Sequence, residues 1–202
     1  MRKLLVLTFL LLPVVASAAT TKSHAGAKVE HGTTAHGHPY FRASDTQSAE
    51  GTIVAVNKKK RVVTIVKEDG DTLNVTCGPE VKNFAHIAKG DVVKAKYTET
   101  LTIHIEPAGS TPETSAEETS STAKPGEKPS ATGSAKAQFS GTITAIDDTK
   151  GTVTLKGPEG NERTLTPRNK ENLKKVKVGD VVVFNYEATV AASVHKATTT
   201  KK

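Results

Sequence analysis

One stretch of roughly fifty residues occurs twice in this chain, and the duplication limits what it can fold into more than any other feature. Gly51-Thr52-Ile53-Val54-Ala55-Val56 returns as Gly141-Thr142-Ile143-Thr144-Ala145-Ile146, and Gly90-Asp91-Val92-Val93 returns as Gly179-Asp180-Val181-Val182. Lys60/Lys150, Val63/Val153, Thr64/Thr154, Gly70/Gly160, Thr76/Thr166 and Asn83/Asn172 match between these anchors. The spacing is 90 residues up to Thr76 and 89 from Asn83 onward, so the second copy has lost one residue. A residue found in only one copy is a poor candidate for any role the copies share.

The period inside each copy is that of strands. Residues 61–66 are almost all β-branched, and Asp69-Gly70 marks a turn before residues 71–76. Copy two repeats this with Glu159-Gly160. Val93, Ala95 and Tyr97 alternate onto one face, as do Val182, Phe184 and Tyr186, and Leu101, Ile103 and Ile105 continue the rhythm. Phe84 and Ile87, matched by Leu173 and Val176, have the spacing of one buried helical turn. Strand, strand, strand, helical turn, strand, strand is the order of a five-stranded OB barrel, with an SH3-like barrel as the alternative. The expectation is therefore an all-β protein with two such barrels in tandem.

Composition divides the remainder. Residues 1–19 have a basic start at Arg2-Lys3, an apolar run and the small residues Ala16-Ser17-Ala18, the pattern of a cleaved secretory signal. The run is shorter than the roughly 20 residues of a membrane span, and Pro13 interrupts it. Residues 20–49, a polar His-bearing region, and residues 108–135, which contain no Leu, Ile, Val or aromatic residue, are expected to be disordered. These flank barrels at 50–107 and 136–196, and residues 197–202 form a short basic tail. Removal of the signal lowers the basic count from 28 to 26 against 21 acids, a net charge of +5. So modest and diffuse an excess favours solubility and attraction to anionic surfaces over a defined nucleic-acid site.

The segments Gly51-x-Ile53-x-Ala55-Val56, Arg61-x-Val63-Thr64-Ile65, Gly78-Pro79-Glu80-Val81-x-Asn83-Phe84 and Gly90-Asp91-x-Val93-x-x-x-Tyr97-x-Glu99-x-Leu101 resemble a set of small exported bacterial domains of unknown function. That resemblance covers copy one; copy two departs at Pro167-Arg168-Asn169 and at Leu173. More loosely, the strand order and the recurring Gly-Asp-x-Val are similar to periplasmic copper-binding OB barrels of metal-efflux systems. That family's site uses Met, His and Trp. Here Trp is absent and the one methionine is Met1, so only the scaffold compares.

The candidate metal ligands are His24, His31, His36 and His38, whose imidazoles suit Cu(II), Zn(II) or Ni(II). The bland alternative is a set of solvated histidines. Cys77, the single cysteine, aligns with Pro167 and reads as a small buried residue at a strand end. Lys58-Lys59-Lys60-Arg61 stands at the turn where copy two has Asp147-Asp148-Thr149-Lys150, and reads as a solvated hairpin turn, not a nucleic-acid contact. Glu99 aligns with Ala188, which removes it as an acid common to both copies, and Asp91 and Asp180 read as turn residues entering a strand. No catalytic constellation assembles from these pieces.

The sequence thus leads us to expect a monomeric, exported, non-enzymatic binding or accessory protein of the bacterial envelope, periplasmic or secreted. Its partner would be an envelope protein or surface polymer, reached bivalently by two barrels on a flexible tether. The alternative is a periplasmic Cu, Zn or Ni binding or delivery protein using the His region.

Overall fold

The computed structural model describes residues 25–34 and 37–197. The expected signal, His24, His36 and residues 198–202 lie outside these. Ten strands form one antiparallel sheet: β1 Ala25–Thr33, β2 Pro39–Asn57, β3 Val62–Lys67, β4 Thr72–Thr76, β5 Val92–Glu106, β6 Thr114–Thr122, β7 Ser130–Asp147, β8 Thr152–Lys156, β9 Glu162–Leu165 and β10 Val181–His195. Their order is β4-β3-β2-β5-β10-β7-β8-β9, with β1 also paired to β2 and β6 also paired to β7. The all-β expectation holds.

Duplication extends to the hydrogen-bond registers. A bulge between Ile53 and Ala55 against β3 recurs between Ile143 and Ala145 against β8. The hairpins turn on Gly70 and Gly160, at φ 87° and 83°, which a Cβ would disfavour. Short 3₁₀ turns at Phe84–His86 and Lys170–Lys175 stand where helical turns were expected. They bury Phe84 and Ile87 in a core with Ile53, Val63 and Ile65, and Leu173 in a second core with Ile143, Val153, Leu155 and Val182.

The two expected barrels are corrected to one open sheet. The OB reading required a break between Tyr97 and Leu101, but Thr98-Glu99-Thr100 contains no Gly, Pro or Asn to bend the chain, and β5 runs through it for 15 residues. At about 3.3 Å per residue such a strand outreaches its own core. Val93 packs against the first core while Ile103 and Ile105 pack against the second. β10 reciprocates, sending Val194 to the first core and Phe184 to the second. β5 and β10 pair over their whole length, from Val92↔His195 to Glu106↔Val181. The copies are therefore not tethered barrels; each core borrows side chains from the other copy's last strand, β5 or β10.

The segments expected to be disordered carry strands among the described residues. Residues 108–135 contain β6 and the start of β7, and the described part of 20–49 contains β1 and the first half of β2. A core was the wrong requirement, because an edge strand draws its order from ladder hydrogen bonds to its neighbour, and β6 is rich in Ser and Thr. The loop after β6 also docks on copy one. Asn83 Nδ2 donates to the Lys124 carbonyl at 2.6 Å, and the Lys128 ammonium donates to the His86 carbonyl at 2.7 Å and to the Asp91 carboxylate.

Candidate functional site

Strand alternation places Tyr97, Glu99, Leu101 and Ile103 of β5 on the same face as Phe184, Tyr186, Ala188 and Val190 of β10. Both cores sit on this face, one toward each end. The midpoint is the pair Glu99↔Ala188, in which a residue meets its own counterpart from the other copy. Tyr97 and Tyr186, also counterparts, converge here with their hydroxyl oxygens 3.4 Å apart. Both donate to Oε2 of Glu99, at 2.9 and 3.2 Å. The adjacent Tyr186 hydroxyl, then burial, then the bond to Glu99, push the Tyr97 phenol well above its ordinary pKa. It is a neutral donor at any physiological pH.

The two sides of this midpoint are filled differently. Toward the second core, Phe41, Ile103, Phe184 and Phe139 form one row across four strands. The Phe139 and Phe184 rings stack at 4.6 Å with planes 3° apart, and Phe139 is 55% exposed. Their counterparts toward the first core are Ala131, Ala192, Ala95 and Ala49, a row of alanines in the same mutual register. Tyr186, 41% exposed, borders the aromatic row.

Charge on this face has one sign. The row through the midpoint reads Asp45, Glu99, Ala188, Ala135, Glu118 across β2, β5, β10, β7 and β6. Asp45 Oδ2 accepts from Gln47 Nε2 at 3.3 Å, whereas Oδ1 is buried with no hydrogen-bond partner. Alternation sends Lys28, Arg42, Lys94, Lys96 and Lys136 to the opposite face. There Lys94 pairs with Glu50 at 3.0 Å and Lys136 with Glu187 at 3.4 Å. On the aromatic side of β1, β2, β5, β6, β7 and β10, none of the described residues in these ladders is Lys or Arg.

Among the expected metal ligands, His31 is exposed on β1 opposite Phe41, and the His38 amide just before β2 donates to Thr34 Oγ1 at 3.2 Å. His24 and His36 lie outside the described residues. Among the described residues, no three His, Cys, Asp or Glu side chains come together in a way that could hold a metal ion. Cys77 is half-buried against the first core, and burial raises its thiol pKa, leaving it a weak nucleophile. Asp91 and Asp180 are both buried, and their carboxylates cap the turns that begin at Ala88 and Lys177. Lys59 and Lys60 are exposed in the β2–β3 turn, and Lys58 Nζ donates to the Ala85 carbonyl at 2.8 Å.

Tyr97, Glu99 and Tyr186 escaped the sequence reading as a group. The mismatch at Glu99/Ala188 hides the cluster from a comparison of the two copies. The missed signal was the unbroken Tyr97-to-Leu101 segment, which makes two counterpart tyrosines neighbours once both long strands run through the centre. No helix among the described residues is long and apolar enough to cross a membrane. Comparison with known protein families and with curated proteins finds no match for the chain.

Proposed function

We propose that this is an exported, non-enzymatic binding or accessory protein of the bacterial cell envelope, acting as a monomer in the periplasm or medium. Its binding surface is the aromatic and carboxylate face shared by β5 and β10. The observation that carries this is the exposure of Phe139 and Tyr186 at the border of a half-buried aromatic row, beside the Tyr97–Glu99–Tyr186 cluster, since apolar surface left open and rimmed by polar groups marks interaction sites. The secretory pattern of residues 1–19 and the resemblance to small exported bacterial domains supply the compartment. Strand-held side chains form a rigid platform that loses little entropy on binding. Attachment is then through one continuous surface, not two tethered heads.

The test is cosedimentation of the mature protein with isolated envelope material. Sedimentation with the envelope is expected, and a Phe139→Ala/Tyr186→Ala variant that keeps its β circular-dichroism spectrum should remain in the supernatant. Equal sedimentation of both proteins would overturn the assignment of the surface. Intact mass should begin at Ala19 or Thr20, and a retained Met1 would overturn export.

A further inference from the structure

Resting on the reading of this face as the binding surface, we infer that its occupant is a cationic chain bearing ammonium or guanidinium groups. Without the signal the protein carries +5, so its overall field would draw anions. The aromatic face reverses that sign locally, with Asp45, Glu99 and Glu118 in one row and no Lys or Arg on the described strands beside them.

Three details fit a cation better than a neutral or anionic partner. Asp45 and Glu99 are directly opposite on neighbouring strands, an arrangement of like charges that destabilises a sheet until a positive group lies between them. Asp45 Oδ1 is buried without a donor, and a positive charge held nearby would offset the cost of that unpaired oxygen. Both tyrosine hydroxyls bond the same oxygen of Glu99, which fixes the two rings and leaves the other oxygen for an incoming donor. Ring faces attract cations, and the neighbouring Phe139, Phe184 and Leu101 offer apolar surface to the aliphatic stem of a Lys or Arg.

The experiment is titration of the full mature protein with an oligolysine peptide, followed by calorimetry and by backbone chemical shifts. An oligoglutamate and a neutral glycan chain serve as comparison probes. Oligolysine should bind and shift the resonances of Tyr97, Glu99 and Tyr186. Glu99→Gln, which keeps side-chain shape, and Tyr186→Ala should each weaken it about tenfold, in keeping with loss of a charge-assisted bond or a cation–π contact. Glu117→Gln on the opposite face should leave affinity within about twofold, as a distant screened charge does. Oligolysine binding that ignores Glu99→Gln, or that Glu117→Gln weakens equally, overturns the inference. If the glycan shifts these resonances and oligolysine does not, the cationic partner is wrong while the face remains the binding surface. If neither probe moves them and envelope cosedimentation also ignores Phe139→Ala/Tyr186→Ala, both readings fail.

Discussion

The two copies share their hydrogen-bond registers yet meet the same local demands with different side chains. At the turn after β2, copy one has Arg61 in the left-handed region at φ 52°, and copy two has Gly151 at φ 69°. A non-glycine residue there is strained, and Arg61 offsets the strain by bonding the carbonyls of Cys77, Gly78 and Val81 while its guanidinium lies 4.6 Å over the Phe84 ring. The buried aspartates differ in the same way. Asp91 accepts from the Ala88 amide and from Lys128, whereas Asp180, 1% exposed, accepts from the Lys177 amide and keeps Oδ1 without a partner. Lys128 precedes Pro129 as His38 precedes Pro39, so the position that supplies the cation to copy one carries an imidazole in the other repeat. Copy one is braced by long cationic side chains, one of them from the β6–β7 loop; copy two relies on small residues. One backbone pattern therefore tolerates two schemes of support, and only the first depends on the segment between the copies.

The largest effect should come from removing that brace. Lys128→Met leaves the buried Asp91 carboxylate uncompensated and should cost on the order of 3 kcal/mol in chemical denaturation. Asp180→Asn, which removes a charge with no cation opposite it and keeps an oxygen for the Lys177 amide, should be neutral or stabilising. Equal losses in the two variants would erase the distinction between the copies.

Next is Arg61→Gly, which imports copy two's solution. It relieves about 1 kcal/mol of backbone strain but forfeits three charge-assisted bonds and a cation–π contact, for a net loss of about 1–2 kcal/mol. A gain in stability would mean that the guanidinium bonds do not outweigh the strain.

The pair Tyr97 and Tyr186 tests the midpoint between the copies. A phenol whose pKa is raised on folding holds its proton more tightly in the folded state. The associated stability is fully present below the unfolded value near 10 and is lost as pH rises through the higher folded value. Ultraviolet absorbance should therefore show one of the three tyrosines titrating late, and Glu99→Gln should bring it down. Three coincident titrations would break the cluster.

The smallest effect belongs to Lys59→Ala, in an exposed turn that copy two fills with acids, where melting should register less than about 0.5 kcal/mol.

Legibility followed physical scale. Strands, hairpin glycines and the buried Phe84, Ile87 and Leu173 were readable because period-2 alternation and turn chemistry act over a few residues. Two features were not. The run from Tyr97 to Leu101 carries no signal for a bend, and its straightness decides that the copies fuse; a five-stranded barrel needs a corner there that no residue specifies. The Ser/Thr-rich β6 looked disordered because its composition offers no core, yet its hydrogen bonds come from β7. The aromatic row was invisible for a related reason: Phe41, Ile103, Phe184 and Phe139 are far apart along the chain and become neighbours only through cross-strand register. Of the four histidines expected as metal ligands, His31 stands in the β1–β2 ladder and His38 just before β2, while His24 and His36 lie outside the described residues.

The pair Glu99↔Ala188 bears on why the repeat occupies one polypeptide. An antiparallel strand pair centred on a residue and its own duplicate is the seam of a two-fold homodimer. Between identical subunits, whatever stands at the centre must face itself, so a glutamate would confront a glutamate, a repulsive arrangement on adjacent strands. Joining the halves covalently lifts that constraint. One position can keep the carboxylate that both tyrosines need while the other shrinks to a methyl group. An asymmetric site at the symmetry centre is thus available to the fused chain and denied to a pair of identical ones.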